Sequence, residues 1–338
     1  MTDKKTGTQT FVLENPPAIA GHANVVGQKE GAGPLGNSFD VIGVDDSFGE
    51  RSWEKAEVAM QKKALSIALE KAGQTPSVLD FLFAGDLLNQ CIGAGYAARG
   101  TDIPFFGLYG ACSTMAESLG LASLLLDGGF GTWGAAATSS HFCTAERQYR
   151  APLEYGGQRA PTSQWTATAA GAVVLTREGP GPYVTHVTPG RIRDKGIKDA
   201  NNMGAAMAWA AYDTISQHLR DTCRPPSYYD LIVTGDLGKL GKEVLLELFA
   251  RDGVDLSGNY NDCGVLLFDL EEQDVHCGAS GCGCAACVLT GYLLNGMRAG
   301  QWNRLLFCAT GALHSPVSLG QGESIPGICH AVAISTGK

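Results

Sequence analysis

The sequence predicts an α/β protein made of two similar halves, residues 1–180 and 181–338, in which hydrophobic strands alternate with helices. Three observations carry this reading. A short apolar strand ending in Gly-Asp-Leu occurs at Gly85-Asp86-Leu87 and again, 150 residues on, at Gly235-Asp236-Leu237, each time after a helical stretch. A small-residue turn that opens a helix also occurs twice, at Gly110-Ala111-Cys112-Ser113-Thr114 and at Gly281-Cys282-Gly283-Cys284-Ala285. From each turn, a threonine in a later strand stands 26 residues away, Cys112 to Thr138 and Cys284 to Thr310. Self-similarity of this kind marks a duplicated unit.

Taken in order, residues 1–52 are rich in turn formers, with Pro16-Pro17 and the glycines from 27 to 36. They are too irregular for a phosphate cradle and predict an ordered surface loop at a subunit contact. Residues 52–72 have helical spacing through Ala56, Met60, Ala64 and Ala68, and Gly73 stops the run. Residues 78–87 are nearly all apolar, as in a strand buried on both faces. Cys112 then opens a helix to Asp127, and 133–140 and 171–176 form strands. The second half repeats the series, with a helix at 204–220, a strand at 229–237, a helix at 284–298, and strands at 304–311 and 330–335. The small residues Ala116, Gly120, Ala122, Ala285 and Ala286 suit two helices packed closely between two mixed sheets related by a pseudo-twofold axis.

Of 338 residues, 44% are hydrophobic and 17% charged, enough for a large core and little disorder. The net charge of -9, without a lysine-arginine block, argues against nucleic-acid binding, and the five tryptophans form no stacking platform. Eleven cysteines are an odd number scattered among Ala, Gly and Leu, which predicts free thiols in a reducing setting. No apolar run reaches a membrane span, and residues 1–15 lack an apolar signal core. Cys277, Cys282, Cys284 and Cys287 lack paired C-x2-C knuckles, so core packing rather than metal explains them.

The duplicated pattern with a cysteine heading a buried helix resembles the thiolase-like fold, the five-layer αβαβα architecture of thiolases and β-ketoacyl synthases. Longer phrases narrow the resemblance. Phe83-Ala84-Gly85-Asp86-Leu87-Leu88-Asn89-Gln90, Ala137-Thr138-Ser139-Ser140-His141, Thr144-Ala145-Glu146-Arg147-Gln148-Tyr149-Arg150 and Glu154-Tyr155-Gly156-Gly157-Gln158 resemble the stage V sporulation protein AD family along essentially the whole chain. The resemblance implies a protein that binds dipicolinate (pyridine-2,6-dicarboxylate), alone or with calcium, and acts in its uptake into the forespore. It implies partners among the stage V sporulation AC- and AE-type membrane proteins, peripheral association with the spore inner membrane, and a homodimer. No cofactor is expected.

A cysteine at a helix N-terminus can be a nucleophile, because unpaired backbone N–H groups favour its thiolate. The alternative function is therefore acyl transfer or condensation at Cys112. That chemistry needs a histidine and an oxyanion site. Where synthases of this fold carry the histidine, rough alignment puts Gly235, and Gly281-Cys282-Gly283 stands in the loop that holds their asparagine. Thiolases use a Gly-His-Pro phrase, and Leu313-His314-Ser315-Pro316 is the nearest look-alike. The reading is a non-enzymatic binding protein. Its ligand-binding residues are expected to be Cys112, His141, Arg147, Tyr149 and Arg150: the cysteine and histidine at the pocket, the arginines to meet carboxylates. His276 and His314 either line the central cleft or are satisfied loop residues. His218 is expected at the surface, His186 and His330 as packing residues, and Asp86 and Asp236 as caps of neighbouring helices or turns. Met203, Met207 and Trp209 are expected in the core or at a subunit contact, with a pocket wall as the alternative.

Overall fold

The computed structural model describes residues 4–149 and 159–338. Its first long strand, β1 (Ala18–Val26), lies inside the segment expected to be a loop. β1 is buried along nearly all its length, so it has no alternation to betray it, and His22 and Asn24 disguise it as polar. Helix α1 (Trp53–Lys71) follows, with the Ser52 hydroxyl accepting the Lys55 N–H at 3.4 Å. Then come β2 (Phe81–Gly85), α2 (Ile92–Ala98), β3 (Phe105–Leu108), α3 (Thr114–Asp127), β4 (Trp133–Ser140), α4 (Phe142–Tyr149) and β5 (Ala169–Thr176).

The second half contains β6 (Tyr183–Thr188), α5 (Met203–Asp221), β7 (Leu231–Thr234), α6 (Gly238–Arg251) and β8 (Tyr260–Asp262). It ends with α7 (Cys282–Val288), a π turn over Leu289–Leu293, α8 (Leu294–Arg298), β9 (Arg304–Ala312) and β10 (Gly327–Ser335).

The main strands run β8-β7-β9-β10-β6-β1-β5-β4-β2-β3 across the sheet. Each half has the same connectivity. β2 is parallel to β3 and β4, while β5 is antiparallel to β4 and β1. Correspondingly, β7 is parallel to β8 and β9, and β10 is antiparallel to β9 and β6. The two sets were expected as separate sheets; a single register pair, Tyr183 opposite Ala18, joins them through β6 and β1.

Buried side chains form three main clusters. One holds α3 and α7 between the strands of both halves, through Met115, Leu119, Ala285 and Val288. The others lie under α1, and under α5 and α6. Close approach needs small residues where α7 meets β5: a Cβ on Gly171 of β5 would lie 2.7 Å from the backbone of Ala286.

Two further expectations are corrected. His218 is buried, not at the surface, because the end of α5 turns inward; its ring bonds the Thr188 hydroxyl at 2.7 Å and the Tyr229 phenol at 2.5 Å. The segment after β1 is also partly internal. Glu30 is buried and accepts the Thr168 N–H at 3.0 Å. Among the described residues, no helix is long and apolar enough to cross a membrane.

Candidate ligand cavity at Cys112

The turn between β3 and α3 is locally self-bonded. The Ser113 hydroxyl donates to the Gly110 carbonyl at 2.6 Å, the Thr114 hydroxyl to Ala111 at 2.7 Å, and Ala111 takes a positive φ of 52°. A 3-10 turn, Ala111–Ser113, therefore precedes α3 and carries Cys112. The second half presses on this turn. A Cβ on Gly311 of β9 would meet the Gly110 carbonyl oxygen at 2.7 Å and the Ser113 nitrogen at 3.0 Å, so glycine is needed there for close backbone approach.

Cys112 is buried, with the carboxyl of Asp236 beside its thiol. Burial and then the Asp236 charge push the thiol well above its ordinary value, outweighing the Gly281 N–H that favours the thiolate. Desolvation raises the Asp236 carboxyl to about 7, even though it accepts from the Gly281 N–H at 2.8 Å and from the Thr310 hydroxyl at 2.8 Å. An acid thus stands beside the thiol. The backbone leaves no room for a histidine at Gly235, where a Cβ would lie 2.9 Å from the Thr310 nitrogen and 3.0 Å from the Ala309 Cα. At the head of α7, the buried Cys282 thiol donates to the Ser139 carbonyl at 3.0 Å.

Above Cys112 lies a cavity of about 250 Å³. Its walls include Leu87, Tyr109, Tyr149, Met203 and His314, with Thr166, Ser280 and Ser315. The Tyr109 and Tyr149 hydroxyls are 2.5 Å apart and both lie beside the Leu87 carbonyl; with one proton each, one phenol donates to the other and the second donates to Leu87. Burial, then the bond to Tyr109, raises the Tyr149 phenol, so it stays a neutral donor. The ring centroids of His314 and Tyr149 are 5.8 Å apart.

Cys112 and Tyr149 thus meet at one cavity, whereas His141 and Arg147 stand away from it. His141 is buried beneath Trp53; its Nε2 donates to the Asp46 carbonyl at 2.8 Å and its Nδ1 accepts the Cys143 N–H at 3.2 Å. Burial lowers its pKa. This corrects its expected place at the pocket, because the strand end it follows turns toward the Asp46 loop. Arg147 likewise faces outward from α4, where it pairs with Glu54. Arg150 lies outside the described residues.

Sequence reasoning missed Tyr109 and Leu87 as cavity walls, and Asp236 as the partner of Cys112. Of the two places open to Met203 and Met207, Met203 takes the pocket wall and Met207 the core. The repeated Gly-Asp-Leu phrase was the available signal for Asp236, since a second copy need not keep the first copy's role.

Asp86 does cap, accepting the N–H groups of Leu88 at 3.1 Å, Gly93 at 3.3 Å and Ala94 at 2.9 Å. All eleven cysteines are free. Of the four crowded ones, Cys284 and Cys287 donate to the Gly235 and Cys284 carbonyls, and Cys277 donates to the Pro161 carbonyl.

The fold is similar to that of condensing enzymes. A variant of OleA from Xanthomonas campestris superposes with a TM-score of 0.61 at 13% identity, covering 96% of this chain and 99% of that one. The 3-oxoacyl-[acyl-carrier-protein] synthase III of Aquifex aeolicus gives 0.56 at 13% identity, covering 94% and 99%. These likenesses show an α/β fold of the thiolase and ketoacyl-synthase kind. In sequence, the chain is 44% identical over 329 residues to the stage V sporulation protein AD of Bacillus subtilis (strain 168), covering 97% of both chains. The model of the stage V sporulation protein AD (SpoVAD) family matches residues 7–335. The chain belongs to the stage V sporulation protein AD family.

Proposed function

We propose that the chain binds dipicolinate, alone or as its calcium chelate, in the cavity at Cys112, and that it acts in dipicolinate uptake into the forespore rather than in acyl transfer. Family membership supports the sporulation role. The observation that carries the choice between binding and catalysis is the Cys112–Asp236 contact, in which a buried carboxyl stands beside a thiol whose protonated form burial favours. A thiol kept protonated is a poor nucleophile and a good neutral wall.

The cavity suits one small ring. Its volume, about 250 Å³, is below the roughly 300–1,000 Å³ typical for drug-sized ligands. Tyrosine rings offer flat walls, and the Ser280 and Ser315 hydroxyls can donate to carboxylates. Asp236 does not repel a dianion when protonated, so binding tightens as pH falls below about 7.

The repeated connectivity and the three core clusters support a duplicated five-layer arrangement with a pseudo-twofold axis, its halves at residues 1–180 and 181–338. β3 ends the sheet and exposes Phe105 and Phe106, so its edge is the proposed homodimer seam. Stage V sporulation AC- and AE-type membrane proteins are the proposed anchors at the inner membrane of the forespore.

Calorimetric titration with dipicolinate, with and without calcium and with pyridine-2-carboxylate as competitor, tests the reading. Met203→Trp, which fills the cavity, is expected to weaken binding at least about tenfold, or 1.4 kcal/mol, and Arg147→Ala to leave it unchanged. Equal binding by wild type and Met203→Trp would refute the cavity assignment. An acetyl adduct on Cys112 after incubation with acetyl-coenzyme A would establish acyl transfer instead.

A further inference from the structure

A second cavity, of about 230 Å³, is lined mostly by the second half, with Val12, Leu13 and Pro16 of the first. Its lining includes Arg224, Arg304, Lys338, His186 and Tyr228 but, among the described residues, no aspartate or glutamate, in a chain whose net charge is -9. We propose that Arg224 and Arg304 form a binding site for a small organic oxyanion, of the carboxylate or phosphate class.

The arginines come from two separate elements. Arg224 follows α5, where its N–H bonds the Leu219 carbonyl at 3.0 Å. Arg304 begins β9 opposite Ser335 of β10. Both guanidinium carbons lie over the Tyr228 ring, at 4.2 Å and 4.5 Å from its centroid. Stacking fixes the planes of the two forks and leaves their N–H groups for a ligand. Arg224 spends one weak contact on the Tyr229 hydroxyl, at 3.4 Å. Neither guanidinium forms an ion pair among the described residues.

Nearby acids are otherwise engaged. Asp221 accepts the N–H groups of Thr8, Gln9 and Thr10, Asp230 accepts those of Asn303 and Arg304, and Glu14 lies 3.9 Å from Lys4. Two like charges stacked on one ring repel, and an oxyanion in the cavity that both arginines line relieves that repulsion while accepting charge-assisted hydrogen bonds. Besides the tyrosines and Lys338, His186 on β6 is the remaining titratable wall. Burial, then the Arg224 charge, lowers it to about 4, so it is neutral near pH 7 and does not oppose ligand entry.

This site does not rest on the Cys112 cavity, and its test separates the two. The full chain is titrated at low salt with inorganic phosphate and, separately, with pyridine-2,6-dicarboxylate. At least one probe is expected to bind, with affinity falling about tenfold or more in Arg224→Gln and in Arg304→Gln but holding in Met203→Trp. The probe that binds identifies phosphate or carboxylate as the preferred group. In the wild type, which avoids any folding defect, the bound probe is expected to raise the pH midpoint of His186 followed by NMR. Binding of both probes unchanged by the arginine substitutions, or absent, with a static His186 midpoint, overturns the site. Dicarboxylate binding lost only in Met203→Trp overturns its carboxylate arm and leaves the Cys112 reading standing. Loss only in the arginine variants does the reverse.

Discussion

Asp86 and Asp236 occupy the same Gly-Asp-Leu phrase in the two halves, yet they do different work. Asp86 turns its carboxylate onto three backbone N–H groups at the start of α2, a purely local closure. Asp236 spans the halves, holding Gly281 at the head of α7 and Thr310 on β9 and standing beside Cys112 from the other half. The helix heads diverge in step. Cys112 borders a cavity, whereas Cys282 and Cys284 are sealed in the core. One copy of a duplicated motif can keep the architectural role while the other is free to shape a site.

Removing each carboxyl in turn tests that division of labour most severely. Asp86→Ala strands three buried N–H groups and is expected to cost about 3 kcal/mol, after partial relief of the repulsion between Asp86 and Glu57. Asp236→Asn keeps its shape and acceptor oxygen and is expected to cost about 1 kcal/mol or less. Urea unfolding measures both; equal losses would show that the two aspartates share one structural role.

The seats of the middle helices offer a second comparison. A Cβ on Gly171 meets the Ala286 backbone at 2.7 Å, which cannot yield without moving α7. On Gly120 it meets only the Val187 side chain, at 2.9 Å. Gly171→Ala is expected to cost about 2 kcal/mol and Gly120→Ala about 1 kcal/mol, from overpacking. The reverse order in thermal melts would mean that α7 is the more yielding helix.

The smallest effect is in pH. Burial raises Glu30 and Asp236 to about 7, Glu57 to about 8 and Asp262 to about 6. With folded values above unfolded ones, their stabilisation is complete below the unfolded pKa and is lost as pH rises through the folded value. Burial lowers His22, His186 and His330 to about 4 and His218 to about 3, so their contribution is present above pH 6.5 and lost as pH falls. Stability is therefore expected to peak near pH 6 and to decline toward pH 8. Asp236→Asn should flatten that decline by about 1 kcal/mol, of the order of one pKa unit. An unaltered pH profile of the urea midpoint in this variant would show that Asp236 does not titrate in that range.

Much of this organisation was legible from local pattern. The run from Trp53 to Lys71, the strand before each Gly-Asp-Leu and the 26-residue spacing to Thr138 and Thr310 depend on periodicity and repetition, which a sequence carries directly. β1 was not legible, because a strand buried on both faces has no alternation and its His22 and Asn24 find partners only in the folded chain: the Thr290 carbonyl for the histidine, and the N–H of Asp40 for the asparagine. The site divided similarly. Cys112 announced itself by its turn, and Tyr149 by the motif it belongs to. His141 and Arg147 did not hold their expected places, because the direction of a side chain depends on how an element is rotated against its neighbours.

Order and spacing of residues were enough to settle the α/β plan with its repeated phrases, the family, and the cysteine around which the cavity is built. Folding in three dimensions was needed to place Asp236 beside Cys112, 124 residues away in the chain, and to bring Arg224 and Arg304 onto one tyrosine ring. Desolvation and electrostatic fields act through space, and sequence distance carries no record of them.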